Sequence, residues 1–252
     1  KALGGDRDAL ALCTSFDRME TIDELLEAIR GALQAGYAAI ELKFRPGWDV
    51  QMVNLVRAEF PVERIHIDVE GDLSLGQMEM LCRLDDFGLA MIEQPLPADD
   101  LVGHAMVQEA VRTPLCLAEG VTTVAQAEVA MELKSCQYVN LEPGRVGGLT
   151  PAVAIHDVCH ESCTPCRLGA MPQTAIGARI GLALGTKANF NYPAEFFPPG
   201  TLLAEDLADP PPTQRNDEGQ LVAVLSSEPG IGVVPDQERL EQFCIDRAKA
   251  EG

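Results

Sequence analysis

Short apolar runs alternate with helix-period stripes along most of the chain. Residues 10–14, 39–43, 65–68, 90–93, 115–118 and 138–142 read as strands, each bounded by polar or turn-forming residues. Ile22, Leu25, Leu26, Ile29 and Leu33 recur at helical spacing behind a capping box, Thr21 to Glu24. Further helices are predicted near residues 50–59, 74–84, 100–111, 123–133, 150–159 and 174–184. Thr150 and Pro151 read as an N-cap followed by proline at the first helical position. Residues 165–169 read as strand seven and 189–192 as strand eight. The repeat stops at the three prolines 210–212, and residues 221–224 and 230–234 read as short extended pieces beyond it.

The strands keep a fixed step. Lys43, Asp68, Glu93 and Ala118 stand 25 residues apart and close consecutive strands, and Glu142 follows 24 residues later. Alternation at this step suggests a parallel barrel or an open doubly wound sheet. In a barrel, residues that close the strands gather on one face, where such folds keep their chemistry. The step thus assembles a lysine and two carboxylates, then puts a methyl group at the next place.

Composition narrows the picture. The 252 residues fit one (β/α) barrel. No apolar run reaches the 18 residues of a membrane span, and the opening from Lys1 carries no signal peptide. A first residue other than Met suggests that the native start lies upstream. A formal charge of −20 argues against nucleic acid or an anionic membrane as partner, and the expectation is an acidic cytoplasmic protein. Of the eight cysteines, Cys159, Cys163 and Cys166 with His160 have metal-like spacing. Cys159 ends a helical pattern and Cys166 opens a strand, so scattered reduced thiols are the preferred reading over zinc. His66 is read as packed and facing away from Asp68. His104, His156 and His160 are read as helical surface residues. Gly144, Gly147 and Gly148 suit either an anion cradle or a tight turn.

Three motifs in register carry a resemblance. Residues 43–49 (Lys-Phe-Arg-Pro-Gly-Trp-Asp), 92–96 (Ile-Glu-Gln-Pro-Leu) and 142–148 (Glu-Pro-Gly-Arg-Val-Gly-Gly) are similar to the enolase superfamily, in its muconate-lactonizing subgroup. The branch they resemble holds the o-succinylbenzoate synthases and N-acylamino acid (N-succinylamino acid) racemases. The resemblance implies an α/β fold, a TIM-type (β/α)7β barrel, over residues 1–209. It implies a tail over 210–252 that packs in the family against an N-terminal α+β capping domain, which is not found in this chain.

The resemblance also implies a chemistry. Family members hold Mg²⁺ with carboxylates ending strands three, four and five, and face two lysines across the substrate. One lysine moves the proton next to a carboxylate while the metal stabilises the enediolate. Asp68 and Glu93 match the first two metal ligands. The third falls on Ala118, with Glu119 beside it as a weak substitute, so Mg²⁺ binding is expected to be weak. Lys43 matches one catalytic lysine, its strand-two companion falls on Glu41, and the strand-six lysine falls on Glu142. Gln173 stands where the family has a glutamate. Asn140, Gly169 and Met171 fall where the resemblance implies substrate contacts. Lys43 alone faces four carboxylates, a net charge of −3 where the family pattern is neutral before the metal binds.

Three functions remain open. One is metal-assisted proton abstraction, with the syn dehydration of a synthase preferred to racemisation because only one lysine remains. The second is a degenerate barrel that binds a metal or a small carboxylate without turnover. The third is a structural barrel that forms homo-oligomers. A Lys43–Glu142 salt bridge is the structural alternative to acid/base duty for Lys43.

Overall fold

The computed structural model describes residues 2–197 and 203–244; Lys1 and the end of the expected tail, 245–252, lie outside them. Strands β1 (Ala9–Phe16), β2 (Ala39–Lys43), β3 (Ile65–Asp68), β4 (Ile92–Glu93), β5 (Leu115–Leu117), β6 (Tyr138–Leu141) and β7 (Cys166–Leu168) run parallel, each beside the next. Strand β8 (Ala194–Glu195) pairs with β1, and a parallel bridge from Cys166 to Phe190 closes the ring. The result is a (β/α) barrel. Its eighth strand begins later than the pattern predicts. Residues 189–192 supply only the bridge, because Pro193 has no N–H to offer a ladder and pairing with β1 starts after it.

The helices lie between the strands as the periodicity predicts: α1 (Ile22–Ala35), α2 (Val50–Glu59), α3 (Met78–Leu84), α4 (Leu101–Ala110), α5 (Val124–Leu133), α6 (Leu149–Glu161) and α7 (Ala175–Gly185). A single turn of 3-10 helix, Leu75–Gln77, precedes α3. Thr21 caps α1 by accepting from the Glu24 amide at 3.2 Å. The cap of α6 is Gly148 rather than Thr150. Pro151 still fits, since amides in a first turn have no partner within the helix. Gly147 and Gly148 both have positive φ, 92° and 117°, the backbone that a tight turn requires.

Alternation divides the strands into two faces. Ile40, Leu42, Ile65, Ile67, Leu117 and Leu141 face the helices and are essentially solvent-free; burying each such side chain is worth about 1.5–3 kcal/mol. The inward face has a small apolar plug of Cys13, Ala39, Met91, Cys116 and Tyr192. Above the plug the inward residues are polar, and this layer leads into the mouth of the barrel.

After the barrel, β9 (Thr213–Arg215) and β10 (Leu221–Val224) form an antiparallel pair, and β10 joins the start of β1 through Ala9↔Val224. Residues 230–234 are a turn rather than an extended piece, with Gly230 and Gly232 at positive φ. A short helix, α8 (Gln237–Gln242), follows.

Two of the histidines read as surface residues are buried. His104 and His156 are 0% and 3% exposed, on the inward sides of their helices. His104 is held by the Asp100 carbonyl at 2.7 Å and by the Leu96 amide at 3.3 Å. Cys159 and Cys166 meet in the interior, but Cys163 is exposed, so the three thiols do not converge. Among the described residues, no helix is long and apolar enough to cross a membrane.

Candidate functional site

Strand register brings the 25-residue series to one place. Lys43 pairs across the sheet with Asp68, and Asp68 with Glu93; Ala118 and Glu142 directly follow β5 and β6. All five lie at the C-terminal mouth of the barrel. A cleft of about 410 Å³ opens there, lined by eight acidic residues, among them Glu41, Glu119, Glu142 and Glu195, and by only two basic ones, Lys43 and Arg145.

Lys43 is held by three carboxylates. Its Nζ lies 2.5 Å from Asp68, 3.0 Å from Glu41 and 3.3 Å from Glu70. Burial by itself would lower the lysine pKa, but the charges of Glu41 and Asp68 outweigh burial and raise it above the ordinary lysine value. The same crowding, burial first and then Glu41, pushes the Asp68 carboxyl up. The partner of Lys43 is therefore not Glu142, which pairs with Arg145 at 3.1 Å on the other side of the mouth. Arg145 also holds Glu119 at 2.7 Å.

Beneath Lys43 lies a second cation. Arg167 of β7 is fully buried. Its Nη1 donates to Glu93 Oε2 at 2.6 Å and to His66 Nε2 at 2.5 Å. Its Nη2 donates to Glu41 Oε2 at 2.8 Å and to Glu195 Oε2 at 3.3 Å. His66 Nε2 is shared: besides Arg167 it lies 3.0 Å from Glu41 Oε2, while His66 Nδ1 lies 3.0 Å from the Tyr192 hydroxyl. His66 is neutral: burial first, and then the charge on Arg167, lower its pKa to about 4. His66 is buried, as expected, but it does not face away from Asp68. Residues two apart on a strand share a face, and His66 points into the barrel.

Burial also raises the carboxyl groups around this cation. Glu93 is pushed up by burial against the pull of Arg167, and Glu195 is raised to about 8 by burial and by the charge on Glu41. Glu41 goes the other way: burial alone would raise it, but Arg167, His66 and Lys43 together hold it well below the carboxylate range.

The residues expected to touch substrate are close together but differ in situation. Asn140 Nδ2 donates to Glu93 Oε1 at 2.6 Å and to Glu142 Oε1 at 3.2 Å. Gly169 lies under Asn140: a Cβ there would come within 2.3 Å of Asn140 Oδ1. Its missing side chain makes room for the asparagine. Met171 is exposed at the mouth. Gln173 lines a smaller neighbouring cavity of about 60 Å³ with Gly144 and Leu168.

The oxygen atoms that would serve a metal are already engaged. Asp68 gives Oδ2 to Lys43 and Oδ1 to the Glu70 amide. Glu93 gives Oε1 to Asn140 and Oε2 to Arg167. Ala118 offers no side-chain donor, and Glu119 is paired with Arg145. A divalent ion reaching these oxygens has to displace the cations and amides that hold them. Another cluster, Glu41, His66 and Glu93, has ligand atoms within 4.8 Å of one another, but these atoms converge on the Arg167 guanidinium. The residues present do not fit a resident metal ion.

Arg167 and Glu195 lie outside the motifs, and Arg145, although inside the third, is given no role by it. Alternation could have found Arg167, which stands two residues before Gly169 on the inward face of a strand. Glu195 follows a proline outside the predicted strand, and Arg145 sits in a turn, so neither leaves a periodic signal.

A family model described as enolase C-terminal domain-like matches residues 24–239. The chain is 36% identical over 243 residues to an o-succinylbenzoate synthase of Geobacillus kaustophilus, covering 96% of this chain and 64% of that protein. It is also 36% identical over 241 residues to an N-succinylamino acid racemase of Amycolatopsis sp, covering 95% and 64%. The crystal structure of an enolase-superfamily member from Listeria innocua superposes with a TM-score of 0.87 at 28% identity, covering 96% and 64%. The chain spans 64% of the length of these relatives.

Proposed function

The chain belongs to the enolase C-terminal domain-like family, and from that premise we propose that it is an o-succinylbenzoate-synthase-like barrel that binds a small carboxylate but abstracts the adjoining proton poorly. One observation carries this reading: Lys43 has three carboxylates within 3.3 Å. A lysine acts as a base only when neutral, and this environment keeps it an ammonium ion. A positioned general base contributes about 10²–10⁴-fold to such a reaction, so its loss lowers turnover by that order. Lys43 remains able to donate a proton.

Arg145 is the group that supports carboxylate binding. It lines the cleft, where its guanidinium already holds two carboxylates, Glu119 and Glu142. A ligand carboxylate meeting it competes with Glu119 and Glu142, so binding is weak and sensitive to salt. Racemisation is the less favoured activity, because a second base is needed on the opposite face and Glu142 stands where the family has a lysine. Mg²⁺, if it binds, does so by displacing Lys43 or Arg167 from Asp68 and Glu93, and therefore weakly. The segment from residue 210 is proposed as the part that meets a capping domain in the whole protein.

The reading is tested by calorimetry with o-succinylbenzoate and an N-succinylamino acid, alongside turnover assays for both reactions with Mg²⁺ present. Binding with little turnover is expected. Turnover at the level of the relatives refutes the depleted site, and absence of binding by either compound refutes the carboxylate ligand.

A further inference from the structure

We propose that the Arg167 guanidinium is the resident cation of this barrel, seated among Glu41, His66 and Glu93 in the position of a coordinated metal ion. The arrangement of acceptors leads to this assignment. Three side chains from three strands, β2, β3 and β4, bring one ligand-type atom each to within 4.8 Å of one another. All three are buried, and Glu195 adds a fourth acceptor from β8. An imidazole nitrogen and carboxylate oxygens gathered this closely are the donor types of a divalent metal site. Here the place among them is taken by two guanidinium nitrogens at 2.5 to 3.3 Å from those atoms.

Charge explains why the arrangement holds. Buried carboxylates without a partner carry a large desolvation cost. A guanidinium keeps its proton at any pH the protein meets, and it forms several directed bonds at once. It is tied to the chain, so it stabilises Glu41 and Glu93 without depending on any ion in solution. The hydroxyl of Tyr192 lies 3.0 Å from Nδ1 of the same ring and fixes the imidazole against the cation. The β6–β7 register places Asn140 level with Arg167, so the Asn140 bond to Glu93 orients the same carboxylate from above.

Two consequences follow for this chain. The buried carboxylates Glu41 and Glu93 have a cation beside them without any metal. Removing the arginine side chain leaves a buried Glu–His–Glu set that takes a divalent ion.

The test is Mn²⁺ uptake, read as loss of the free-ion electron paramagnetic resonance signal and taken as the difference from Glu93→Gln protein, so that binding to the acidic rim cancels. Wild-type protein is expected to show no difference site tighter than about 1 mM. Arg167→Met is expected to take up one Mn²⁺ per chain at least tenfold more tightly than wild type, and its thermal midpoint is expected to rise with Mn²⁺ while that of wild type stays put. If Arg167→Met does not fold without metal, the wild-type titration still decides. A tight wild-type site that Glu93→Gln abolishes overturns the assignment, as does folded Arg167→Met that takes up no Mn²⁺.

Discussion

Lys43 Nζ lies 2.5 Å from Asp68 Oδ2, on neighbouring strands in direct register. The contact turns two residues with separate roles in the family pattern into one ion pair. Asp68 serves the lysine first, and the lysine keeps its proton because Asp68 and Glu41 both face it. Asp68→Asn removes one of these charges from a mostly buried pair. The expected loss is about 1–3 kcal/mol of stability, measured by urea denaturation. A change within about 0.5 kcal/mol, the range of an ordinary surface substitution, would count against the pair.

Glu195 makes stability depend on pH. Its carboxyl holds a proton in the folded chain up to about pH 8, against an ordinary value of 4.5. Across that window the folded state binds more protons than the unfolded one, so stability falls as pH rises from about 4.5 to 8. Glu195→Gln keeps an acceptor for the Ala170 amide, which the native carboxylate takes at 2.9 Å, and removes the ionisation. Thermal midpoints measured across this range should decline less steeply in the variant. Parallel declines would assign the pH dependence to other groups.

Gly169 and Asn140 compete for the same space. Gly169→Ala places a methyl group 2.3 Å from Asn140 Oδ1 and forces the asparagine off Glu93. Overpacking of this kind costs about 1–3 kcal/mol. Pairing it with Asn140→Gly should recover part of the loss, because the clash disappears. Additive losses in a double-mutant cycle would show that the two residues do not interact.

Restoring the absent ligand alone should not restore a metal site. Ala118→Asp adds a carboxylate beside Glu93, but the Asp68 and Glu93 oxygens remain bound to Lys43, Arg167 and Asn140. Calorimetric Mg²⁺ titration of Ala118→Asp should match wild type within about threefold, whereas a tenfold gain, about 1.4 kcal/mol, would mean that those oxygens are free to coordinate.

The barrel and its mouth were legible because they depend on period and register. A step of 25 residues fixes where strands end, and Lys43, Asp68, Glu93, Ala118 and Glu142 arrive at one face from that step alone. The chemistry inside was legible only in part. The substitutions at Glu41, Ala118 and Glu142 stand out against the family motifs, but the charge balance depends on Arg167, which sits in a strand with no motif around it. Counting Lys43 as the sole cation gives an interior that could not stay buried. His66 stands two residues from Asp68, so alternation puts both on the same face and His66 points into the barrel rather than away. Residues 189–192 alternate asparagine with an aromatic residue and so read as a strand, while Pro193 delays the ladder to Ala194.

The central claim is that Lys43 is an ammonium ion held by its neighbours and cannot take a proton from a substrate. Its titration can be followed directly by nuclear magnetic resonance of protein carrying ¹⁵N-lysine, with Lys43 assigned by the Lys43→Arg variant. The account predicts that the Lys43 signal shows no deprotonation up to about pH 10.4, the value at which a free lysine is half titrated. A signal that titrates near pH 7–8, the range of a working lysine base, would contradict it.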